Sequence, residues 1–123
     1  MDGEQTIHPN VSYPYGAQAN PGVPVIRVLV GGLNGREYPV VNELFVIGRD
    51  PQSDLVIDSP EASRRHATIA TMAGQYLLTD TASRNGVYVH NMRLERAVLK
   101  HGDLIQIGPA VLQFIYHGRP PAD

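Results

Sequence analysis

Three short runs carry the groups that could do chemistry: Gly48-Arg49, Ser63-Arg64-Arg65-His66 and Ser83-Arg84-Asn85-Gly86. A phosphate monoester presents about −1.5 to −2 charges and three acceptor oxygens near neutral pH, so a receptor for it needs clustered donors of fixed direction. Arg49 has a planar guanidinium able to give two parallel hydrogen bonds to such oxygens, and Gly48 lets the backbone turn closely where an apolar run ends. Ser63 adds a hydroxyl donor and Arg64 a second cation. His66 stands beside the start of the next apolar run, a position better suited to bracing loops than to serving as ligand or base. Arg84 and Asn85 share a turn with Ser83 and Gly86, and the asparagine amide, both donor and acceptor, suits the main chain of an extended peptide. Taken singly, each residue also reads as something ordinary: a solvated arginine, a polar loop, an Asn-Gly turn. The expectation of a phosphate-reading site rests on their combination.

Competing chemistries lack their parts. A hydrolase would pair Ser63 and His66 with Asp80 or Asp103, but the chain has no Gly-x-Ser-x-Gly elbow and no recognisable oxyanion loop. The histidines, at positions 8, 66, 90, 101 and 117, show no paired metal-ligand spacing, and the absence of cysteine removes thiolate catalysis and Cys-based zinc sites. Ten Lys+Arg against twelve Asp+Glu give a formal charge of −2. With a pI near 6.2 and no clustered aromatic platform, this argues against a nucleic-acid partner. Neither an enzyme nor a cofactor or metal is expected.

The elements that position these runs are short. Residues 1–24 hold Pro9, Pro14, Pro21 and Pro24 among Gly, Asn, Gln, Ser and Tyr, which predicts a disordered tail. From Val25 onward apolar runs alternate with turn residues: 25–30, 36–41, 44–48, 54–58, 67–71, 75–80, 87–90, 96–100, 104–108 and 110–117. Gly31-Gly32-Leu33-Asn34-Gly35 between the first two predicts a β-hairpin. No 12-residue segment has convincing helical periodicity, so the fold expected is all-β: two antiparallel sheets packed face to face, with functional loops gathered at one end. The domain is placed at 25–117, followed by a terminal tail at 118–123. No stretch approaches the roughly 18 apolar residues of a membrane span, and the N-terminus lacks a basic start and an apolar core, so the expectation is an unexported, cytoplasmic chain.

The spacing of the three runs resembles the forkhead-associated (FHA) domain: Gly48-Arg49, then Ser63-x-x-His66, then Ser83-x-Asn85-Gly86. Asp54-Leu55, the Leu78-to-Asp80 strand end and the closing stretch from His101 to Gly108 add to the likeness, which spans residues 25 to 117. The resemblance implies an eleven-stranded β-sandwich that binds phosphothreonine peptides and has no catalytic activity. By motif position it implies that Arg49 and Ser63 hold the phosphate, with Arg64 in support. It assigns Asn85 to the peptide backbone, and Gly48, His66, Ser83 and Gly86 to the shape of the site. Two positions depart from the family pattern: Arg84 stands where threonine is frequent, and Ala82 where glycine is usual. Arg84 is expected to contact phosphate or an acidic peptide residue.

The implied partner is a phosphothreonine-containing protein, a Ser/Thr kinase or its substrate. Glu61, two residues before Ser63, is expected to disfavour acidic side chains in the peptide's C-terminal half. Thr6, the one threonine of the tail, is a candidate phosphosite for the domain's own pocket. The competing expectation is an FHA-like scaffold that binds an unphosphorylated protein surface.

Overall fold

The computed structural model describes residues 22–117. Thr6 and most of the expected tail, together with the stretch 118–123, lie outside the described residues. Pro24, read from sequence as part of the tail, is buried, and its carbonyl accepts a hydrogen bond from the Val40 N–H at 2.9 Å.

Eleven strands and no helix occur among the described residues. They are β1 (Val25–Val30), β2 (Glu37–Pro39), β3 (Leu44–Gly48), β4 (Leu55–Val56), β5 (Ala67–Met72), β6 (Gln75–Asp80), β7 (Tyr88–Val89), β8 (Met92–Arg93), β9 (Arg96–Val98), β10 (Leu104–Ile107) and β11 (Ala110–Ile115). A six-stranded sheet has the order β2-β1-β11-β10-β7-β8, and a five-stranded sheet the order β4-β3-β5-β6-β9. The two-residue period of a strand sends alternate side chains inward. Ile26 and Val28, Phe45 and Ile47, Ile105 and Ile107, and Leu112 and Phe114 are thereby buried. Complete burial of such a side chain stabilises by about 1.5–3 kcal/mol. Tyr76 packs against Phe114 with ring centroids 5.6 Å apart, joining the two sheets at the end away from the three motifs.

The sheets are antiparallel except at one pair: β3 and β4 run parallel, Ile47 beside Leu55 and Gly48 beside Val56. An antiparallel meander delivers successive loops to opposite ends, whereas here the chain leaves β3, doubles back along the sheet edge and runs forward again. Asp54 fixes that return. Its Oδ2 accepts from the Val46 N–H at 2.7 Å, its Oδ1 from the Asn42 amide at 3.1 Å, and its own N–H donates to the Val46 carbonyl at 2.9 Å. Residues 49–54 and 57–66 therefore emerge at the same end of the sandwich. β5 runs away from that end and β6 returns to it, so residues 81–87 arrive beside them.

Several strands are shorter than their apolar runs. The run 54–58 contracts to Leu55–Val56 because Asp54 is committed to the return. The run 36–41 contracts to Glu37–Pro39, an edge strand whose proline has no N–H to donate. β8 was not anticipated. His90 and Asn91 adopt φ of 51° and 68° and form a tight hairpin between β7 and β8, which shortens the run 87–90 to Tyr88–Val89.

Candidate functional site

The site is built on a close approach of backbones. Gly48, at the end of β3, lies under the segment 63–66, and a β-carbon on it would fall 2.0 Å from the Arg64 carbonyl oxygen. Only glycine permits this, since any side chain would displace the backbone that carries the second motif. Once adjacent, the strands continue as a ladder: the Arg49 N–H donates to the Ser63 carbonyl at 3.0 Å, and the Asp50 N–H to the Arg64 carbonyl at 3.1 Å.

His66 joins the second motif to the third. It is completely buried; its Nδ1 accepts from the Ser63 N–H at 2.9 Å and its Nε2 lies 2.7 Å from the Gly86 carbonyl. Those partners define the tautomer, with the proton on Nε2. Both ring nitrogens face main chain, so His66 is not paired with the Ser63 hydroxyl, and the Ser-His-Asp arrangement weighed from sequence is not formed. Asp80 instead accepts from the Ser83 N–H at 2.8 Å, and the Ser83 Oγ accepts from the Gly86 N–H at 2.9 Å. The third loop is thus closed on itself. Gly86 takes φ 88°, and a β-carbon there would meet the Arg93 Nε at 2.5 Å. Thr81 adds a further tie, its hydroxyl donating to the Arg65 carbonyl.

The outward groups are each partly committed. The Arg49 Nε donates to the Ala62 carbonyl at 2.9 Å, which aims the guanidinium and leaves its terminal nitrogens without a protein partner among the described residues. The Ser63 Oγ accepts from the Arg84 N–H at 3.2 Å, so its acceptor side faces the protein and its proton remains to be donated. The Asn85 Nδ2 donates to the Glu61 carbonyl at 2.7 Å, orienting the amide with Oδ1 as a remaining acceptor. Arg64 and Arg84 are exposed, and among the described residues neither guanidinium meets a carboxylate. The result is an end surface rich in fixed donors, with one amide oxygen beside them. Among the described residues no group of three His, Asp or Glu is placed to hold a metal ion.

Sequence reasoning did not identify the supporting roles of Ala62, Thr81 and Asp80. The carbonyl of Ala62 carries no side-chain signature. Asp80-x-x-Ser83 is a readable capping pattern, and it locates the start of the third loop. Ala82 adopts φ 58°, the left-handed region, at the position where the family pattern has glycine.

The two-sheet topology, with three motif loops at one end, places the chain in the class of FHA-like β-sandwich domains. The FHA domain family model matches residues 45–108, and the chain belongs to that family. It is 36% identical over 103 residues to the oxoglutarate dehydrogenase inhibitor of Corynebacterium jeikeium, covering 83% of this chain and 72% of that protein. It is 34% identical over 101 residues to the glycogen accumulation regulator GarA of Mycolicibacterium smegmatis, covering 81% of this chain and 64% of that one. Among solved structures, an FHA domain whose interactions are phosphothreonine-dependent superposes with a TM-score of 0.72 at 26% identity, covering 79% of this chain and 99% of its own. No helix among the described residues is long and apolar enough to cross a membrane.

Two substitutions test the architecture. His66→Ala should destabilise the domain by at least about 3 kcal/mol in urea unfolding, because a buried N–H and a buried C=O lose their partner and a cavity opens; a loss below about 1 kcal/mol would contradict the bridging role. Ala82→Gly should instead stabilise, by about 0.5 kcal/mol. Relief of the left-handed strain contributes about 1–2 kcal/mol, and the greater freedom of glycine in the unfolded chain offsets about 0.4–1 kcal/mol of it.

Proposed function

We propose that this chain is a non-catalytic signalling module that captures phosphothreonine in a partner protein, with residues 25–117 as the binding domain. The observation that carries the proposal is the state of Arg49 and Ser63: each is anchored by one internal hydrogen bond and keeps its remaining donors facing outward. Arg49 holds phosphate oxygens through its terminal nitrogens, Ser63 through its hydroxyl proton, and Arg64 adds a charge-assisted contact. Asn85 accepts a peptide N–H at Oδ1. Arg84 contacts phosphate or an acidic peptide side chain. Gly48, His66, Ser83 and Gly86 hold these groups in place without touching the ligand.

Charge-assisted hydrogen bonds contribute about 1.5–3 kcal/mol each. Two or three of them, less the ordering of a flexible peptide, correspond to micromolar affinity, about −8 kcal/mol. Preference for phosphothreonine over phosphoserine rests on burying one methyl, about 0.8 kcal/mol, and is therefore graded rather than absolute. A regulator of this kind works by occupying a partner rather than by transforming it. That reading is supported by the names of the two relatives, an inhibitor and a regulator. The module is placed in the cytoplasm, where a Ser/Thr kinase or its substrate supplies the phosphothreonine.

The same pocket can take a phosphothreonine from the chain's own tail. Thr6 lies about 15 residues before the first described residue, and a flexible linker of that length would span roughly 21 Å, comparable with a domain of radius near 13 Å, and would supply a millimolar effective concentration.

Arg49→Ala should weaken a phosphothreonine peptide at least tenfold by isothermal titration calorimetry while leaving the thermal unfolding midpoint within a few degrees of the parent. Unchanged affinity would remove this site. Stoichiometric phosphorylation of Thr6 should lower the affinity for an added phosphopeptide; if affinity is unaltered, capture of the chain's own tail is excluded.

A further inference from the structure

The space left by the absent side chain of Gly86 is occupied. A β-carbon built on Gly86 would fall 2.5 Å from the Arg93 Nε, 2.9 Å from its Cζ and 3.1 Å from its Cδ, so the arginine lies across the glycine of the third motif. Arg93 belongs to β8, the edge strand that the tight hairpin at His90 and Asn91 folds back beside β7, and it stands opposite Tyr88. Next to it the Leu94 N–H donates to the Val87 carbonyl at 3.0 Å, which fixes the main chain beside the contact. The stem is thereby seated while the residue stays exposed, and among the described residues the guanidinium meets no carboxylate. The cleft beside it is lined also by Asp80, Ala82, Ser83, Glu95 and Arg96. Its two acids do not pair with Arg93: Asp80 takes the Ser83 N–H at 2.8 Å, and neither carboxylate comes within ion-pair distance of the guanidinium.

Topology sets this cation on one flank of the site. In the order β11-β10-β7-β8, the strand β7 that follows Gly86 lies between the β10–β11 turn and β8. Glu61 packs at that turn, its Cβ 3.2 Å from a β-carbon built on Gly108, whereas Arg93 stands on the other side of β7. Outside the three motifs, the rim therefore carries an acid on one flank and a base on the other. Asn85, the amide assigned to peptide main chain, adjoins both: its Nδ2 donates to the Glu61 carbonyl, and its neighbour Gly86 is the seat of Arg93.

We propose that Arg93 is a specificity-determining residue that binds an anionic side chain, a carboxylate or a second phosphorylated residue, on the half of the peptide lying away from Glu61. The inference rests on the function proposed above and adds a preference that motif position does not assign. A planar guanidinium offers two parallel hydrogen bonds to two oxygens of one anion. Because its stem is already seated on Gly86, Arg93 gives up less rotamer freedom on binding than a freely moving surface arginine does. The contact remains open to water, so a carboxylate gains about threefold in affinity, and the gain shrinks as salt is raised. A phosphate, with about twice the charge and a third oxygen, gains about tenfold.

Isothermal titration calorimetry of the unphosphorylated 123-residue chain tests this, with phosphothreonine peptides whose flanking residues are all alanine or carry a single aspartate or phosphoserine at each position in turn. An aspartate in one half of the peptide should tighten binding about threefold and a phosphoserine there about tenfold, with no gain in the other half. A gain from only one of the two anions identifies the source. Arg93→Gln should remove the gain and keep the all-alanine peptide within about twofold of the parent. Lys100→Gln, which removes the same charge beyond the far end of β9, should leave the gain intact. Binding of the all-alanine phosphopeptide with no gain from either anion overturns this inference alone. So does a gain that survives Arg93→Gln, or an equal loss across all peptides, which would make Arg93 a support for the third loop. If no phosphothreonine peptide binds, the proposed function falls and this inference with it. Should Arg93→Gln fail to fold by circular dichroism, the Arg93 Nε–H resonance of the parent chain decides: it must shift further with the acidic peptide than with the all-alanine one, and an equal shift overturns the proposal.

Discussion

The arrangement of the site depends on a neutral imidazole held completely inside the protein. Through its Nδ1, His66 takes up the Ser63 N–H, and through its Nε2–H it satisfies the Gly86 carbonyl, so one ring joins two loops that are 20 residues apart in sequence. Neither bond is possible with the other tautomer. Because the ring is buried, replacing it with a group of different donor pattern leaves the Ser63 N–H and the Gly86 carbonyl without water or partner, a loss that the other ties between the loops do not make good. The outward groups inherit their positions from this junction. Ser63 directs its hydroxyl from a backbone fixed by His66, and Arg84 offers its N–H to that hydroxyl from the loop on the other side.

Topology brings the junction within reach. The parallel pairing of β3 and β4 sends two consecutive loops to one end, and the glycine at position 48 lets the second lie directly against the first. Asp54 makes the doubling-back possible by satisfying the Val46 N–H at the sheet edge. A sequence motif that reads as three separated fragments becomes continuous in space through a two-residue strand and a missing side chain.

Much of this was legible in the sequence for a physical reason. Alternation of apolar residues records which face of a strand is buried, and it located ten of the eleven strands. It does not record which strand pairs with which or in what direction, so the β3–β4 pairing emerged only in three dimensions. β8 was missed because both its residues, Met92 and Arg93, are exposed, so no buried position marks it in the sequence. The candidate site was legible as residue types at fixed spacing. What spacing cannot show is the division of each group's hydrogen-bonding capacity: that the Arg49 Nε is committed to Ala62, or the Asn85 Nδ2 to Glu61, depends on carbonyls that every residue possesses. The left-handed backbone at Ala82 was visible only as a departure from the family pattern.

Four residues around the rim share a property with a consequence for how such a site can change. Glu61 holds Asn85 through its carbonyl, Arg64 and Arg65 receive the Asp50 N–H and the Thr81 hydroxyl through theirs, and Arg84 meets Ser63 through its N–H. All four contribute to the scaffold with atoms common to almost every amino acid, while their exposed side chains make no hydrogen bond or ion pair among the described residues. Mutation can therefore exchange those side chains, and with them the sequence preference of the site, at little cost to folding. Arg49 and Ser63, the centre of the proposed phosphate grip, lie outside this set of four, so the surroundings of that grip can change while its centre stays fixed.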